Sequence, residues 1–211
     1  MATQAQMVTE PTKERVVEQK LQRLRELYAD APEVGKVALQ NGIADIAREF
    51  AALTGATGVQ SAGRVGARQG KVSELTALLQ IAKGGAKRLR GLLELVEGNF
   101  RGADVVGTLH DMRFVFLEND TKLLFATAYD GEWDAYIDDF VTKIPNAMDL
   151  WLSNVEGWPG IRNTNKAKDW IAEHQIAAEA WYVGSPNLTM ADTRRLEHVG
   201  KALDEFLDKI S

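Results

Sequence analysis

The spacing of apolar residues predicts two amphipathic helices at the start of the chain, over 9–29 and 33–53. In both segments apolar side chains recur every three or four residues, with charged side chains between them. Gly35 and Gly42 weaken the second helix without interrupting its apolar stripe. We therefore expect an N-terminal helical segment, 1–53, that folds as a hairpin. The stripes consist of Val17, Leu21, Leu24 and Tyr28 in the first helix and of Val34, Val37, Ile43, Ile46, Phe50 and Leu53 in the second.

Residues 54–72 interrupt this pattern, because they contain five glycines and no regular apolar period. Glycine at this density is typical of a linker or a mobile loop. The chain is therefore expected to divide into the helical segment 1–53, the linker 54–72 and a domain over 73–211.

The domain from residue 73 onward has a different order of elements. Alternating and short continuous apolar runs predict four strands, at 73–82, 107–117, 122–129 and 178–184. Helical spacing predicts helices at 86–97, 132–155, 165–174 and 190–210. Apart from the short helix at 165–174, this order matches the ferredoxin-like βαββαβ unit followed by a C-terminal helix. We therefore expect an α+β domain with an antiparallel sheet and its helices on one face.

Two of these helices carry signals for their ends. Pro145 is expected to kink or divide the helix over 132–155, because an interior proline loses a backbone hydrogen bond. Thr189 and Asp192 stand three residues apart at the start of the last helix, which is the spacing of a capping box. The buried face of that last helix is expected to consist of Leu196, Val199, Leu203, Phe206 and Ile210.

The strand over 107–117 is apolar on both faces, although a sheet with helices on one side needs only one apolar face. A second copy of the chain, the N-terminal helices or a ligand would have to cover the other face, and a homodimer is our leading hypothesis. Strict alternation gives a helix-facing set and an open-face set. These sets are Thr108, His110, Met112, Phe114 and Phe116, and Leu109, Asp111, Arg113, Val115 and Leu117.

Composition restricts the chemistry. The 211 residues include no cysteine, which excludes disulfides, thiolate nucleophiles and cysteine-type zinc sites. The first residues contain no apolar signal-peptide core and no run is long enough for a membrane helix, so a cytoplasmic location without a membrane span is expected. The net charge is −5, and 103–157 holds 11 acidic and 3 basic side chains. This acidic centre disfavours nucleic acid as a partner.

Three neighbouring side chains are the candidates for catalysis. Asp111 and Arg113 could form a proton-handling pair, and His110 could act as a base or ligate iron. A structural ion pair beside a satisfied histidine is the favoured alternative. The acids of 130–134 have a spacing that suggests calcium, but acids collected at a helix N-terminus explain them better, so no metal site is expected. Ligand-binding candidates on the open sheet face are Arg113, Tyr129 and Trp181.

The segment TLHDMRFVFLENDTKLLFATAYDGEWDAYIDDF, over 108–140, resembles proteins of the dimeric α+β barrel group. This group includes dye-decolorising peroxidases, chlorite dismutase-like haem proteins and small cofactor-free monooxygenases. The resemblance implies a ferredoxin-like dimer with a cavity against the open sheet face. Its haem-binding members imply haem as a cofactor, but of their GxxDG motif only Asp130 and Gly131 stand in this sequence. No catalytic residue is therefore carried over, and the cofactor stays unknown.

Two functions follow from these observations, and whether the protein is an enzyme stays open. The first is a small hydrophobic ligand-binding or oxidoreductase-like protein of the dimeric α+β barrel group, with its site on the open sheet face. The alternative is a non-catalytic interaction or assembly protein, whose partner docks on the amphipathic helices of 9–53.

Overall fold

The computed structural model describes residues 12–53, 59–96 and 101–210, which belong to two compact units divided after residue 58. In the first unit, α1 (Lys13–Leu27) and α2 (Glu33–Leu53) occupy the two segments predicted to be helical. The two helices contact each other, with Leu21 buried and the Lys20 ammonium 5.5 Å from the centre of the Phe50 ring. Residues 9–11 of the first predicted helix lie outside the described residues.

The second unit contains a five-stranded antiparallel sheet, which confirms the α+β class of the fold. The strands are β1 (Gln60–Ser61), β2 (Ala67–Gln69), β3 (Val72–Gln80), β4 (Leu109–Leu117) and β5 (Lys122–Asp130). They lie side by side in the order β1-β2-β3-β5-β4. Because β3 and β4 both run antiparallel to β5, they are parallel to each other, and the chain between them includes a helix.

The helices of this unit are α3 (Gly85–Leu95), α4 (Trp133–Lys143), α5 (Pro145–Leu152), α6 (Thr164–His174) and α7 (Met190–Ile210), with a 3-10 helix at Arg101–Val105. The division at Pro145 is confirmed. This proline opens α5 at a first-turn position, where its missing N–H needs no partner.

One hydrophobic core joins the sheet to α3, α4, α5 and α6. Alternate residues of β3 and β5 point into it, as the pleat of a strand requires, and the helices supply the opposite side. Leu75, Leu123, Leu89, Ile137 and Phe140 are among its members with almost no exposed surface. These helices therefore cover one face of the sheet, as the sequence predicted.

The strand predicted at 178–184 is wrong. No strand begins between residue 176 and α7, and the segment is held instead by single hydrogen bonds to the edge of the sheet. Other partners already occupy the outer edge of β3, since it pairs with β2 at one end and with Gln175 at Ala77, and Ile81, just after the strand, pairs with Val155. The ferredoxin-like strand order is therefore not confirmed.

The linker predicted over 54–72 is also wrong for its described part, 59–72, which forms β1, β2 and the turns beside them. Gly63, Gly66 and Gly70 have positive φ angles of 107°, 85° and 61°. Glycine adopts this backbone region without a steric penalty, so the residues that suggested a linker allow the chain to reverse within a sheet.

A bulge in β4 changes the faces predicted for that strand. The pairing with β5 shifts between Leu109 and Asp111, so His110 has no partner in the ladder. Leu109 consequently packs against the core, together with Met112, instead of sharing the open face with Asp111.

None of the helices in the described part of the chain combines the length and apolarity needed to cross a bilayer.

Candidate functional site

The open face of the sheet carries the ion pair predicted from the sequence. Arg113 Nη1 lies 3.2 Å from Asp111 Oδ2, and both side chains are exposed. An ion pair of this kind in contact with water contributes little to stability. Beside it, Val115, Leu124 and Leu78 form an apolar row, because Val115 pairs with Leu124 and Leu124 pairs with Leu78. The open face thus offers one polar pair next to a short apolar row.

His110 lies apart from this ion pair, at the bulge of β4. Its Nε2 atom is 2.7 Å from Oδ1 of Asp130, and both side chains are mostly buried. The second oxygen of Asp130 accepts the backbone N–H of Met190 at 2.9 Å. A carboxylate held on two sides in this way fixes the orientation of the imidazole ring. The contact therefore joins the end of the sheet to the first residue of α7.

This arrangement of His110 and Asp130 resembles the base and orienting carboxylate of hydrolytic sites only in part. Such a site also requires a nucleophile within hydrogen-bonding distance of the imidazole. Among the described residues, the hydrogen bonds of the His110 side chain involve Asp130 alone. The pair consequently has a clear structural role, which is to connect β4, β5 and α7.

Tyr129 does not share a face with Arg113. Arg113 pairs with Ala126, and Tyr129 follows three residues later in β5, which places it on the opposite, helix-covered side. The Tyr129 ring stacks on Tyr136 with 3.8 Å between ring centres. Burial is the main reason why the pKa of Tyr129 is raised above its usual value, with a smaller contribution from the charge of Glu74.

Trp181, the third predicted ligand-binding residue, lies on the extended segment that follows α6. Its backbone carbonyl accepts a hydrogen bond from Nε2 of Gln69 at 2.6 Å. This contact places Trp181 next to β2, while Arg113 lies on β4 at the opposite edge of the sheet. The three residues predicted to surround one ligand are thus distributed over different parts of the unit.

The three histidines lie in different environments. The Nε2 atom of His110 is engaged by Asp130. The ring of His174 stacks on Trp170, with 4.1 Å between ring centres, and its Nδ1 atom lies 2.7 Å from the Trp170 carbonyl oxygen. His198 is exposed on α7. Two of the three rings are therefore held by contacts within the second unit.

The first turn of α7 is firmly attached to the sheet. The N–H of Asp192 donates to Thr189 Oγ1 and the N–H of Thr189 donates to Asp192 Oδ2, both at 3.0 Å, so the predicted capping box is confirmed. Lys71 also contacts the carboxylate of Asp192, at 3.1 Å. The hydrogen bonds from Thr189 and then Lys71 lower the pKa of Asp192 to about 2.

Beyond this first turn, α7 exposes its apolar residues, and the prediction that they are buried is wrong. Six large side chains along the helix are between 49% and 64% exposed. The helix has no buried residue, because none of the other elements described in the second unit packs along its length. The exposed side chains, which we call the α7 stripe, are Leu196, Val199, Leu203, Phe206, Leu207 and Ile210.

A cleft lies between α1 and α2 in the first unit, with a volume of about 490 Å³. Its apolar surface comes from Tyr28 at the end of α1 and from Leu39 and Ile43 in α2. Lys36 adds positive charge at the same cleft, as does Arg25, whose guanidinium also pairs with Glu18 at 3.1 Å. Clefts of this size and composition accept either a small molecule or the side chains of a bound peptide.

The sequence predicted five of the six residues of the α7 stripe, without Leu207, and assigned them to the core; of the apolar cleft residues it predicted Tyr28 and Ile43 but not Leu39. It did not find that Asp130 holds His110, because the two residues are twenty positions apart and the bulge that joins them leaves no local signal. The basic residues of the cleft could have been found from their spacing: Arg25 precedes Tyr28 by three residues and Lys36 precedes Leu39 by three.

Comparison with protein-family models, with curated proteins and with solved structures found no match to this chain.

Proposed function

We propose that this chain is a non-catalytic interaction or assembly protein, which binds a partner through the cleft between α1 and α2. The observation that carries this proposal is the cleft itself, which combines an apolar floor with Arg25 and Lys36. An amphipathic helix of another protein, with an apolar stripe and acidic flanking residues, matches this combination.

The surface around the cleft supports a protein partner. Leu27, Val34 and Val37 are exposed on the same two helices, and each lies within two residues in sequence of a residue that lines the cleft. Exposed apolar side chains that adjoin one another are typical of protein-binding sites on soluble proteins. A small ligand would need the cleft alone, whereas a bound helix would use this additional surface as well.

Three further features belong to the same proposal. The protein acts as a homodimer, since α7 and the open sheet face both present apolar residues. Its second unit is related to the ferredoxin-like, dimeric α+β barrel group, which the order of the long strands and the helices on one face support. It works in the cytoplasm, because a chain without cysteine needs no oxidising compartment.

Site-specific photocross-linking of the full chain tests the partner site. A photoreactive residue is placed at position 39, in the cleft, or at position 48, where Arg48 is exposed outside the cleft. Both variants are irradiated in extract of the cells that make the protein. A protein that is captured from position 39 but not from position 48 is then purified, and its affinity for the full chain is measured by calorimetry. We expect Lys36→Glu to weaken binding at least tenfold, because it reverses the charge at the cleft, and Arg48→Glu to leave it unchanged. Equal affinity for Lys36→Glu and the natural chain would contradict the proposal.

A second candidate is a small hydrophobic ligand-binding or oxidoreductase-like protein, with its site near Arg113. It is favoured by the apolar row of Val115, Leu124 and Leu78 beside the Asp111–Arg113 pair. An absorption spectrum of the purified protein tests it, before and after addition of haem or flavin. A cofactor band that survives desalting and weakens in Arg113→Ala, but not in Lys122→Ala, would favour this second candidate over the first.

A further inference from the structure

The residues of the α7 stripe repeat in a way that is specific to helix pairing. Leu196, Val199, Leu203, Phe206 and Ile210 are separated by steps of three, four, three and four residues. This is the spacing of the a and d positions of a heptad, which form the contact line between two helices that wind around each other. With Leu196 at position a, Leu207 occupies an e position and widens the contact line on one side.

Helix α7 needs a partner along this line. It has 21 residues, and it is attached to the sheet in its first turn through Asp130, Thr189 and Asp192. The ion pair of Arg194 with Asp104, at 3.5 Å, adds one contact just beyond that turn. Helices in water obtain most of their stability from the packing of an apolar face, so the remaining turns depend on a cover for the α7 stripe.

A second copy of the chain supplies a cover of adequate size. Each of the six side chains is about half exposed. At roughly 100 Å² for each half-exposed residue, two α7 stripes together expose on the order of 1,200 Å², so a pair that covers them completely reaches the lower end of stable interfaces. Because both copies present the same heptad line, the contact is self-complementary, as two-fold dimers require.

Charged residues beside the contact line distinguish a parallel from an antiparallel pair of α7 helices. Arg195 and Lys209 occupy g positions, and the g position between them is Ala202. In an antiparallel pair the g positions of the two helices face each other, which brings Arg195 next to the partner's Lys209 and costs energy. In a parallel pair each g position faces an e position of the other helix, so Arg195 meets Gly200 and Ala202 meets Leu207. The acids Asp204, Glu205 and Asp208 point away from the contact line in either case.

We propose that α7 pairs in parallel with α7 of a second copy, and that this pair is the dimer contact of the protein. The inference rests on the proposed function in one respect, since a homodimer is part of it. It adds the surface, the orientation and the residues that form the contact.

Disulfide cross-linking tests the contact directly, because the natural chain has no cysteine. In a parallel pair the residue at each a position faces the same residue of the other helix. Leu196→Cys, Leu203→Cys and Ile210→Cys are therefore each expected to form a covalent dimer under mild oxidation. Lys201→Cys, at the outward f position of the same helix, is the matched control and should react at least tenfold more slowly. Dimers from Leu203→Cys but not from Leu196→Cys or Ile210→Cys would overturn the parallel orientation.

Light scattering of the full chain provides the second measurement. The natural protein is expected to have the mass of a dimer at micromolar concentration, and the double variant Leu203→Glu, Phe206→Glu the mass of a monomer with an unchanged near-ultraviolet spectrum. A monomeric natural protein would overturn the inference, and so would a dimer that persists in the double variant. In both cases the affinity of Lys36→Glu for the captured partner still decides the proposed function, because that measurement does not involve α7.

Discussion

At the scale of single residues, two stacked tyrosines in the core differ in their hydrogen bonding. Tyr129 and Tyr136 lie face to face, and both are almost fully buried. The Tyr136 hydroxyl is 2.8 Å from Oγ1 of Thr127, which is also buried. The Tyr129 hydroxyl has no hydrogen-bond partner among the described residues. A buried hydroxyl without a partner lowers stability, because it has lost its hydrogen bonds to water.

Removing each hydroxyl should therefore have opposite effects. Tyr129→Phe is expected to leave the free energy of unfolding unchanged or to raise it by about 1 kcal/mol, since it removes an unsatisfied polar group. Tyr136→Phe should lower the free energy of unfolding by about 1 kcal/mol or more, because it leaves Thr127 without its partner. Urea denaturation of both variants measures the difference. A larger loss for Tyr129→Phe than for Tyr136→Phe would show that the Tyr129 hydroxyl is satisfied in solution.

At the scale of elements, α3 contains two glycines with different surroundings. Gly85 opens the helix and is buried against the backbone of the turn after α5, where an added Cβ atom would overlap the carbonyl oxygen of Asn154. Gly91 lies in the middle of the same helix, and an added Cβ atom there would meet no atom within 4 Å. The first glycine is thus required by packing, whereas the second only weakens the helix.

Alanine substitutions should separate these two roles within one helix. Gly85→Ala is expected to lower the free energy of unfolding by about 2 kcal/mol or more, because the backbone around Asn154 must move. Gly91→Ala should raise it by roughly 0.5–1 kcal/mol through helix propensity and a less flexible unfolded chain. Thermal unfolding of the two variants provides the measurement, and a stabilising Gly85→Ala would show that α3 and the turn after α5 do not pack as closely as described.

At the scale of the whole molecule, the chain divides into two compact units. Leu21 is the buried residue of α1, and Leu75 is one of the most buried residues of the sheet. The two residues belong to different units. Units of this kind can open independently of each other.

Core truncations should consequently affect one unit at a time. Leu75→Ala is expected to lower the free energy of unfolding of the second unit by about 2–4 kcal/mol. Hydrogen exchange followed by mass spectrometry should become faster in peptides from 59–210 and stay unchanged in peptides from 12–53. Leu21→Ala should produce the reverse pattern. Faster exchange in both units of either variant would mean that the two units stabilise each other.

The candidate site shows how far local sequence signals extend. The capping of α7 by Thr189 and Asp192 was predicted because both residues act within one helical turn. The contact between His110 and Asp130 was not predicted, because it depends on the bulge in β4 and on the pairing of β4 with β5. The separation of Arg113 from Tyr129 follows from the same pairing, which assigns the two side chains to opposite faces.

The sequence by itself determined the position of α1, α2, α7 and the long strands, as well as the division at Pro145, because periodicity, caps and proline act over a few neighbouring residues. Only the tertiary structure decided which segments occupy the outer edge of β3, and thereby excluded a strand at 178–184. It also decided that the α7 stripe is exposed. An apolar stripe indicates that a helix face will be covered, but whether the same chain or another copy covers it depends on where the helix is attached and how it leaves the fold.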